Sequence, residues 1–369
     1  MIIYLTYNDL PSGIFSSQVI DVVNFYNQKL DTKVKLVSLI SLRHFFKNKK
    51  KIIQECPDAI VIPMFPGVHR WDLNYWLLTC IFWILNPEKI IGRSVLATQL
   101  AMKFQKKTCK IVYDGRGAIA AEWNEYNVVS SDYLKNNILV WEKEVVLKSD
   151  FRIAVSNQLL EYWRTQFKYN SNNHVVIPCT LNHIYEQIYI TDKSISNSKK
   201  ILGFNQEDIV FAYSGSLAGW QSFDLLYNFV SPILKANNHN KILFLSDIDA
   251  NIQKLQDEFS NQIVCKKVKP KEVPNFLIAA DYGLLIREES ITNKVASPVK
   301  FAEYLACGLK IIISNNLGDY SQYVLDHKCG FLMSQKINEN TMSDKLNNNI
   351  LSRMFQKQYF TSYYSCVLK

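Results

Sequence analysis

YGLLIREESITNKVASPVKFAEYLACGLKIIIS, residues 282 to 314, reads as one folding unit. An apolar run ends in a long polar loop, a helix follows from Ser-Pro, and a second apolar run closes the stretch. Two strands joined through a helix pair in parallel, because only a crossover returns the chain to the same end of a sheet. The same alternation recurs on both sides. Upstream lie DIVFAYSGS, KILFLSD and QIVCK, and downstream CGFLM; earlier still come MIIYLTY, KVKLVSL, AIVIPMF, KIVYD and RIAVS. The expected fold class is α/β, with two Rossmann-like doubly wound domains facing across a cleft.

A polar stretch rich in Ser, Asn and Lys, ITDKSISNSKK, separates the two sets of strands and reads as a linker over 190–200. Residues 1–189 then form an N-terminal domain and 201–335 a C-terminal one. Residues 336–369 form a helical segment expected to pack back on the first domain. At 369 residues and 48% hydrophobic content the chain supplies a core for each.

The eight cysteines include no C-x-x-C pair, so neither a zinc site nor a disulfide framework is expected, and they read as reduced thiols of a cytoplasmic protein. MIIYLTY carries no basic region or small-residue cleavage site, so a signal peptide is not expected. YWLLTCIFWIL, residues 75 to 85, is too short to span a bilayer; it reads as a core helix or as one resting on a membrane surface. Net charge is +9, and residues 1 to 182 hold 22 Lys and Arg against 15 Asp and Glu. Part of that excess lies in LRHFFKNKKKII, residues 42 to 53, readable as a solvated helix end or as a contact for an anionic membrane. No recognised nucleic-acid motif accompanies it, so no nucleic-acid partner is expected.

In the opening stretch Ser297 suits an N-cap and Pro298 the first helical position, which puts Lys300 at the third. A cation there opposes the helix dipole unless an anion, most naturally a diphosphate, occupies the helix start. Glu303 lies about one turn on, within reach of sugar hydroxyls; an ordinary surface Lys to Glu pair is the other reading. Arg287 ends the preceding strand and is expected to help bind the anion. Gly215 and Ser216 follow the strand DIVFAY, where a glycine lets backbone approach a phosphate, and Gly13 in PSGIF has the same reading; simple strand-to-helix turns remain open for both.

SPVKFAEYLACGLKIIIS resembles the nucleotide-binding signature of the group 1, retaining glycosyltransferases of GT-B fold, P-x-K-x-x-E-Y-x-A-x-G before a strand. AYSGSLAGWQSFDLL, VKPKEVPNFLIAADYGLLIR, NLGDY and CGFLM stand in the family's order, and SGIFSSQVIDVV, IVYDGRGAIAAE and RIAVSNQLLEYW resemble first-domain elements. The resemblance implies transfer of a sugar from a nucleotide-sugar donor, with retention, to a glycan or lipid-linked acceptor. It also implies that Glu303 binds ribose hydroxyls and that Lys300 with the helix start binds the diphosphate, with no metal or other cofactor. It suggests bacterial envelope polysaccharide assembly at the inner face of the cell membrane. Two departures stand out: Val295 occupies the position of the family's first Glu, and the loop SGSLAGWQS lacks its Arg and Lys. They leave open an inactive nucleotide-binding scaffold, and a nucleotide-sugar epimerase is a further alternative of similar fold.

In the first domain DGRG directly follows KIVY. Asp114 is therefore a candidate to orient an acceptor hydroxyl or donor sugar, and Arg116 to meet a phosphate; a structural Asp to Arg turn is the alternative. Glu122 and His69 are further candidates on the acceptor side, the latter with a packed structural role as its rival.

Overall fold

The computed structural model describes residues 1–104, 106, 108–215 and 222–369. The chain divides into two compact units, one of Met1–Asn182, Val295–Ser297 and Lys357–Lys369, the other of His183–Lys294 and Pro298–Gln356.

The first unit is built on β1 (Ile2–Tyr7), β2 (Val34–Ile40), β3 (Ile60–Pro63), β4 (Lys89–Arg93), β5 (Lys110–Gly115), β6 (Phe151–Ala154) and β7 (His174–Val176). Neighbouring strands pair in parallel in the order β3-β2-β1-β4-β5-β6-β7. Helices cover both faces, which explains why the strands read as near-continuous apolar runs. Ile3, Leu5 and Tyr7 pack into one core cluster while Ile2 and Tyr4 pack into another. The last residues of the chain complete the second cluster. Tyr364 lies 5.3 Å from the Phe25 ring and 5.5 Å from that of Tyr26, and Lys89 Nζ donates to the Val367 carbonyl at 2.6 Å.

The second unit carries β8 (Ile209–Ser214), β9 (Asn240–Leu245), β10 (Ile263–Cys265), β11 (Tyr282–Leu285), β12 (Lys310–Ile313) and β13 (Gly330–Leu332). These are also parallel, in the order β10-β9-β8-β11-β12-β13. In each sheet the strand order reverses once, between β1 and β4 and between β8 and β11. Ligands of doubly wound sheets bind outside the carboxyl ends of the strands at such a reversal.

The stretch 190–200, expected as a linker, is instead helical from Asp192 onward. Asp192–Leu202 forms a helix of the second unit, with Asn197 exposed and Ser198, Lys199 and Leu202 buried. A capping box starts it: Thr191 Oγ1 accepts the Ser194 N–H at 3.1 Å, and Ser194 Oγ accepts the Thr191 N–H at 2.9 Å. Gly203, at φ 75°, ends it. Replacing Thr191 by Ala is expected to lower stability by about 1 kcal/mol, seen as a lower urea midpoint. The C-terminal segment is also split: residues 336–356 stay with the second unit, and the chain joins the first only from Lys357.

Candidate functional site

The site of the second unit is assembled around the helix Val299–Ala306. Its start differs from expectation by one residue. Pro298, at ψ 118°, is the N-cap and makes no side-chain cap bond, so Lys300 is the second helical residue. Ser297 precedes that cap, in the first unit, where its Oγ accepts the Cys179 N–H at 2.8 Å.

Two glycines set how close this helix approaches the sheet. A Cβ on Gly283 of β11 would fall 2.3 Å from Tyr304 Cδ2, so only a bare backbone leaves room for the Tyr304 ring. The Tyr304 hydroxyl then accepts the Ser214 N–H, at the end of β8, at 3.0 Å. This bond ties the helix to the strand end that precedes Gly215. Gly215 itself has φ 104°, a conformation costly for other residues, and a Cβ there would meet Lys300 Cε at 3.1 Å. Lys300 Nζ sits 4.0 Å from the centroid of the Tyr213 ring.

Arg287 follows β11, directly across the strand-order reversal from Gly215. Ser314 Oγ clamps its backbone, accepting the Arg287 N–H at 2.8 Å and donating to the Arg287 carbonyl at 2.6 Å. Burial and then the neighbouring Arg287 charge push Lys300 well below the usual lysine range, with Glu303 partly opposing them. Glu303 is pushed up to about 7 by burial, against the pull of Lys300 and of a hydrogen bond donated by the Tyr185 hydroxyl. Two basic side chains and one carboxyl group thus gather at the carboxyl edge of the sheet, at a helix start whose backbone N–H groups favour an anion. Of the residues expected here, Gly215, Arg287, Lys300 and Glu303 come together. Ser216 lies outside the described residues.

Sequence reasoning did not single out Tyr185, Tyr213, Tyr304 or Ser314. Only Tyr213, next to Gly215 in AYSG, and Tyr304, next to Glu303, had a signal in their position.

In the first unit Asp114 is 2% exposed, and both its oxygens are engaged. Oδ2 accepts the Tyr4 hydroxyl and lies 3.7 Å from Arg93 Nη1, while Oδ1 lies 3.2 Å from Arg116 Nη1. Arg116 Nη2 also donates to Gln18 Oε1 at 3.2 Å and to Cys179 Sγ at 3.1 Å. Arg93, ending β4, reaches Asp9 beyond β1 at 3.4 Å, across the strand-order reversal of this sheet. The Asp to Arg pairing expected from the sequence is present, within a buried network in which Asp114 meets Tyr4, Arg93 and Arg116.

Gly13 opens the short helix Gly13–Phe15, in which Ser12 Oγ accepts the Phe15 N–H at 3.3 Å. His69 is exposed on the 3-10 turn Val68–Leu73, its ring against Gly67, so it is not a packed core residue. Glu122 lies on the helix Ile119–Glu125 and is raised by burial. The start of that helix is held by buried Glu142, which accepts the Ala120 N–H at 2.9 Å and the Ile119 N–H at 3.2 Å. Among the described residues no hydrogen bond links Gly13, His69 or Glu122 to Asp114 or Arg116. Nor do three His, Cys, Asp or Glu side chains among them converge as a metal site. Val295, where the resembling family has a Glu, is 2% exposed in the core of the first unit, and its carbonyl accepts from Ser156 Oγ at 2.7 Å.

No protein-family model matches the chain, and no curated protein is significantly similar to it in sequence. Solved structures do match. A glycosyltransferase from Rickettsia africae superposes with a TM-score of 0.70 at 15% identity, over 100% of this chain and 98% of that one. WaaG, a glycosyltransferase involved in lipopolysaccharide biosynthesis, gives 0.64 at 12% identity over 100% and 94%. A UDP-GlcNAc 2-epimerase from Neisseria meningitidis, bound to UDP-GlcNAc, gives 0.55 at 12% identity over 100% and 94%. The chain has the two-domain α/β architecture of GT-B proteins. At these identities the likeness is one of fold.

Proposed function

We propose that the protein is a glycosyltransferase that moves a sugar from a nucleotide-sugar donor, with retention of configuration, to a glycan or lipid-linked acceptor in bacterial cell-surface polysaccharide synthesis. The observation that carries this reading is the gathering of Lys300, Arg287, Glu303 and Gly215 at the carboxyl edge of β8 and β11. Lys300, Arg287 and the start of Val299–Ala306 bind the diphosphate, and Glu303 accepts hydrogen bonds from the ribose hydroxyls.

In the reaction the bond from the anomeric carbon to the phosphate oxygen breaks, and its electron pair stays on the diphosphate. The acceptor oxygen bonds to the anomeric carbon from the same face, and its proton passes to a donor phosphate oxygen. The leaving group gains charge in the transition state, where two preplaced cations in a partly desolvated site act most strongly. No cofactor beyond the donor is required in this scheme. In the first unit Arg116, held by Asp114, is the group offered to the acceptor. The reading has the protein in the cytoplasm, peripheral on the inner face of the membrane.

A screen of melting temperature against nucleoside diphosphates and their sugars tests the donor half. A preferred nucleotide at 100 times its Kd stabilises by about 2.7 kcal/mol, a rise of several degrees. If no nucleoside diphosphate shifts the transition, the reading fails. The 2-epimerase similarity supports a second reading, nucleotide-sugar epimerisation. Incubation with a donor and no acceptor separates the two, since an epimerase converts the donor without releasing nucleoside diphosphate. Donor binding with neither reaction would instead favour an inactive scaffold.

A further inference from the structure

The strand-order reversal of the first sheet has residues of its own arranged around it. β1 pairs with β4 only as far as Leu5 and Gly92, while it continues along β2 to Tyr7 and Leu39. Pairing between β1 and β4 therefore stops just before Arg93, which on its other side stands opposite Asp114 of β5. The chain beyond β1 brings Asp9 to the same place, where its Oδ2 lies 3.4 Å from Arg93 Nε. The helix Ser94–Met102 fixes this strand end: Thr98 Oγ1 donates to the Gly92 carbonyl at 2.8 Å. A Cβ on Gly92 would fall 2.5 Å from that oxygen, so only glycine lets the helix come so close.

Arg93 is 8% exposed, so its charge needs strong partners, and those it has are loose. Its ion pairs, 3.4 Å to Asp9 and 3.7 Å to Asp114 Oδ2, are both longer than a charge-assisted hydrogen bond of about 2.7–2.9 Å. Nη1 has no hydrogen-bond partner among the described residues. Asp114 is committed elsewhere, with Tyr4 donating to one oxygen and Arg116 to the other. Asp9 is the opposite case: its side chain is 38% exposed, and Arg93 is its one ion-pair partner among the described residues. An under-bonded donor and an exposed acceptor thus stand side by side at the edge where doubly wound sheets bind ligands.

Charge decides what fits there. Arg93 and Arg116 balance Asp9 and Asp114, so a phosphate or carboxylate at Arg93 would face Asp9 with no surplus cation to hold it. An apolar group would leave both charges desolvated. A sugar hydroxyl does neither, since it accepts from the guanidinium and donates to the carboxylate, and two neighbouring hydroxyls engage both groups at once. We propose that Asp9 and Arg93 form a binding site for adjacent hydroxyls of an uncharged sugar, and that the pair sets specificity against charged ones. Identifying that sugar as part of the acceptor rests on the proposed glycosyl transfer. The site itself does not, and the nucleotide-induced rise in melting temperature tests that reading apart from it.

The test is saturation-transfer NMR of the full chain with the methyl glycosides of glucose, galactose, mannose and rhamnose, and with glucuronate and glucose phosphate as charged probes. The wild type is expected to bind at least one methyl glycoside at millimolar concentration, with or without nucleoside diphosphate, and neither charged probe. Asp9→Ala and Arg93→Gln should each weaken glycoside binding by about 10-fold or more, the loss expected of a hydrogen bond to a charged group. Asp9→Asn is the sharper change. It keeps the size of the side chain and leaves the Arg93 charge unbalanced, so glucuronate binding should appear as glycoside binding falls. Asp9 is partly exposed, so its variants should melt with the wild type and keep the nucleotide-induced shift; should Arg93→Gln fail to fold, they carry the test alone. A wild type that binds no glycoside, or binds the charged probes equally well, would overturn the proposal, as would a glycoside displaced by nucleoside diphosphate. So would Asp9 variants that melt lower yet bind sugar as the wild type does, because the pair would then be a structural clasp.

Discussion

Changing Lys300 to Ala is expected to lower kcat/KM for the preferred donor by about 1,000-fold, roughly 4 kcal/mol of transition-state stabilisation. Such a loss is typical of removing one preplaced donor from developing negative charge, and Lys300 is preplaced. Its ammonium rests 4.0 Å over the Tyr213 ring, and its stem runs where a Cβ on Gly215 would come within 3.1 Å. Arginine should not restore activity, because its longer, planar head does not fit that channel. The unliganded variant should melt no lower than wild type. Burial and the charge of Arg287 already hold Lys300 well below the usual lysine range, so the empty site bears a cost that the substitution removes. A folded Lys300→Ala variant with activity within threefold of wild type would remove Lys300 from the proposed site.

The part of this site that sequence makes legible is the part encoded locally. A strand, a loop and a helix in YGLLIREESITNKVASPVKFAEYLACG put Arg287, Lys300 and Glu303 within one connection, and the rules of doubly wound sheets assign that connection to the ligand edge. Gly215 was legible for the same reason, as the residue after a strand. Features set by distant pairing were not. Ser297 looks like a helix cap until its hydroxyl is seen to serve Cys179, 118 residues away in sequence. Asp114 looks like a turn residue until Tyr4, 110 residues earlier, is found against it. Val295 looks like a lost carboxylate, and the fold makes it a core residue. The helix Asp192–Leu202 was misread through composition: Ser and Asn suggest a linker, yet Thr191 and Gly203 are ordinary start and stop residues that should have outweighed it. The apolar run at residues 75 to 85 was visible as such, but only packing shows which part of its helix, Asn74–Leu85, remains exposed.

Changing Glu303 to Ala is expected to weaken donor binding about 100-fold, since a carboxylate accepting two ribose hydroxyls loses roughly 3 kcal/mol of charge-assisted hydrogen bonding. The sharper test is pH. Glu303 stands near 7 in the unliganded protein against its usual 4.5, so it is largely protonated at pH 6 and ionised at pH 8. The ionised form is the better acceptor, so donor affinity should rise through this range in the wild type and stay flat in Glu303→Gln. Stability should move in the opposite direction. A carboxyl group whose pKa is raised in the folded state contributes stability that is fully present below about 4.5 and lost as pH rises through about 7. The unliganded wild type should therefore lose melting temperature from pH 5 to 8 relative to Glu303→Gln, while its affinity for donor increases. A plain surface pair with Lys300 makes the reverse prediction: the lysine would hold Glu303 below its usual range, ionisation would be complete by pH 5, and neither slope would appear near neutrality. Opposite slopes of affinity and stability, both removed by Glu303→Gln, can come only from a carboxyl group that is costly in the empty site and used by the ligand. Flat profiles for the wild type would return Glu303 to the helix surface.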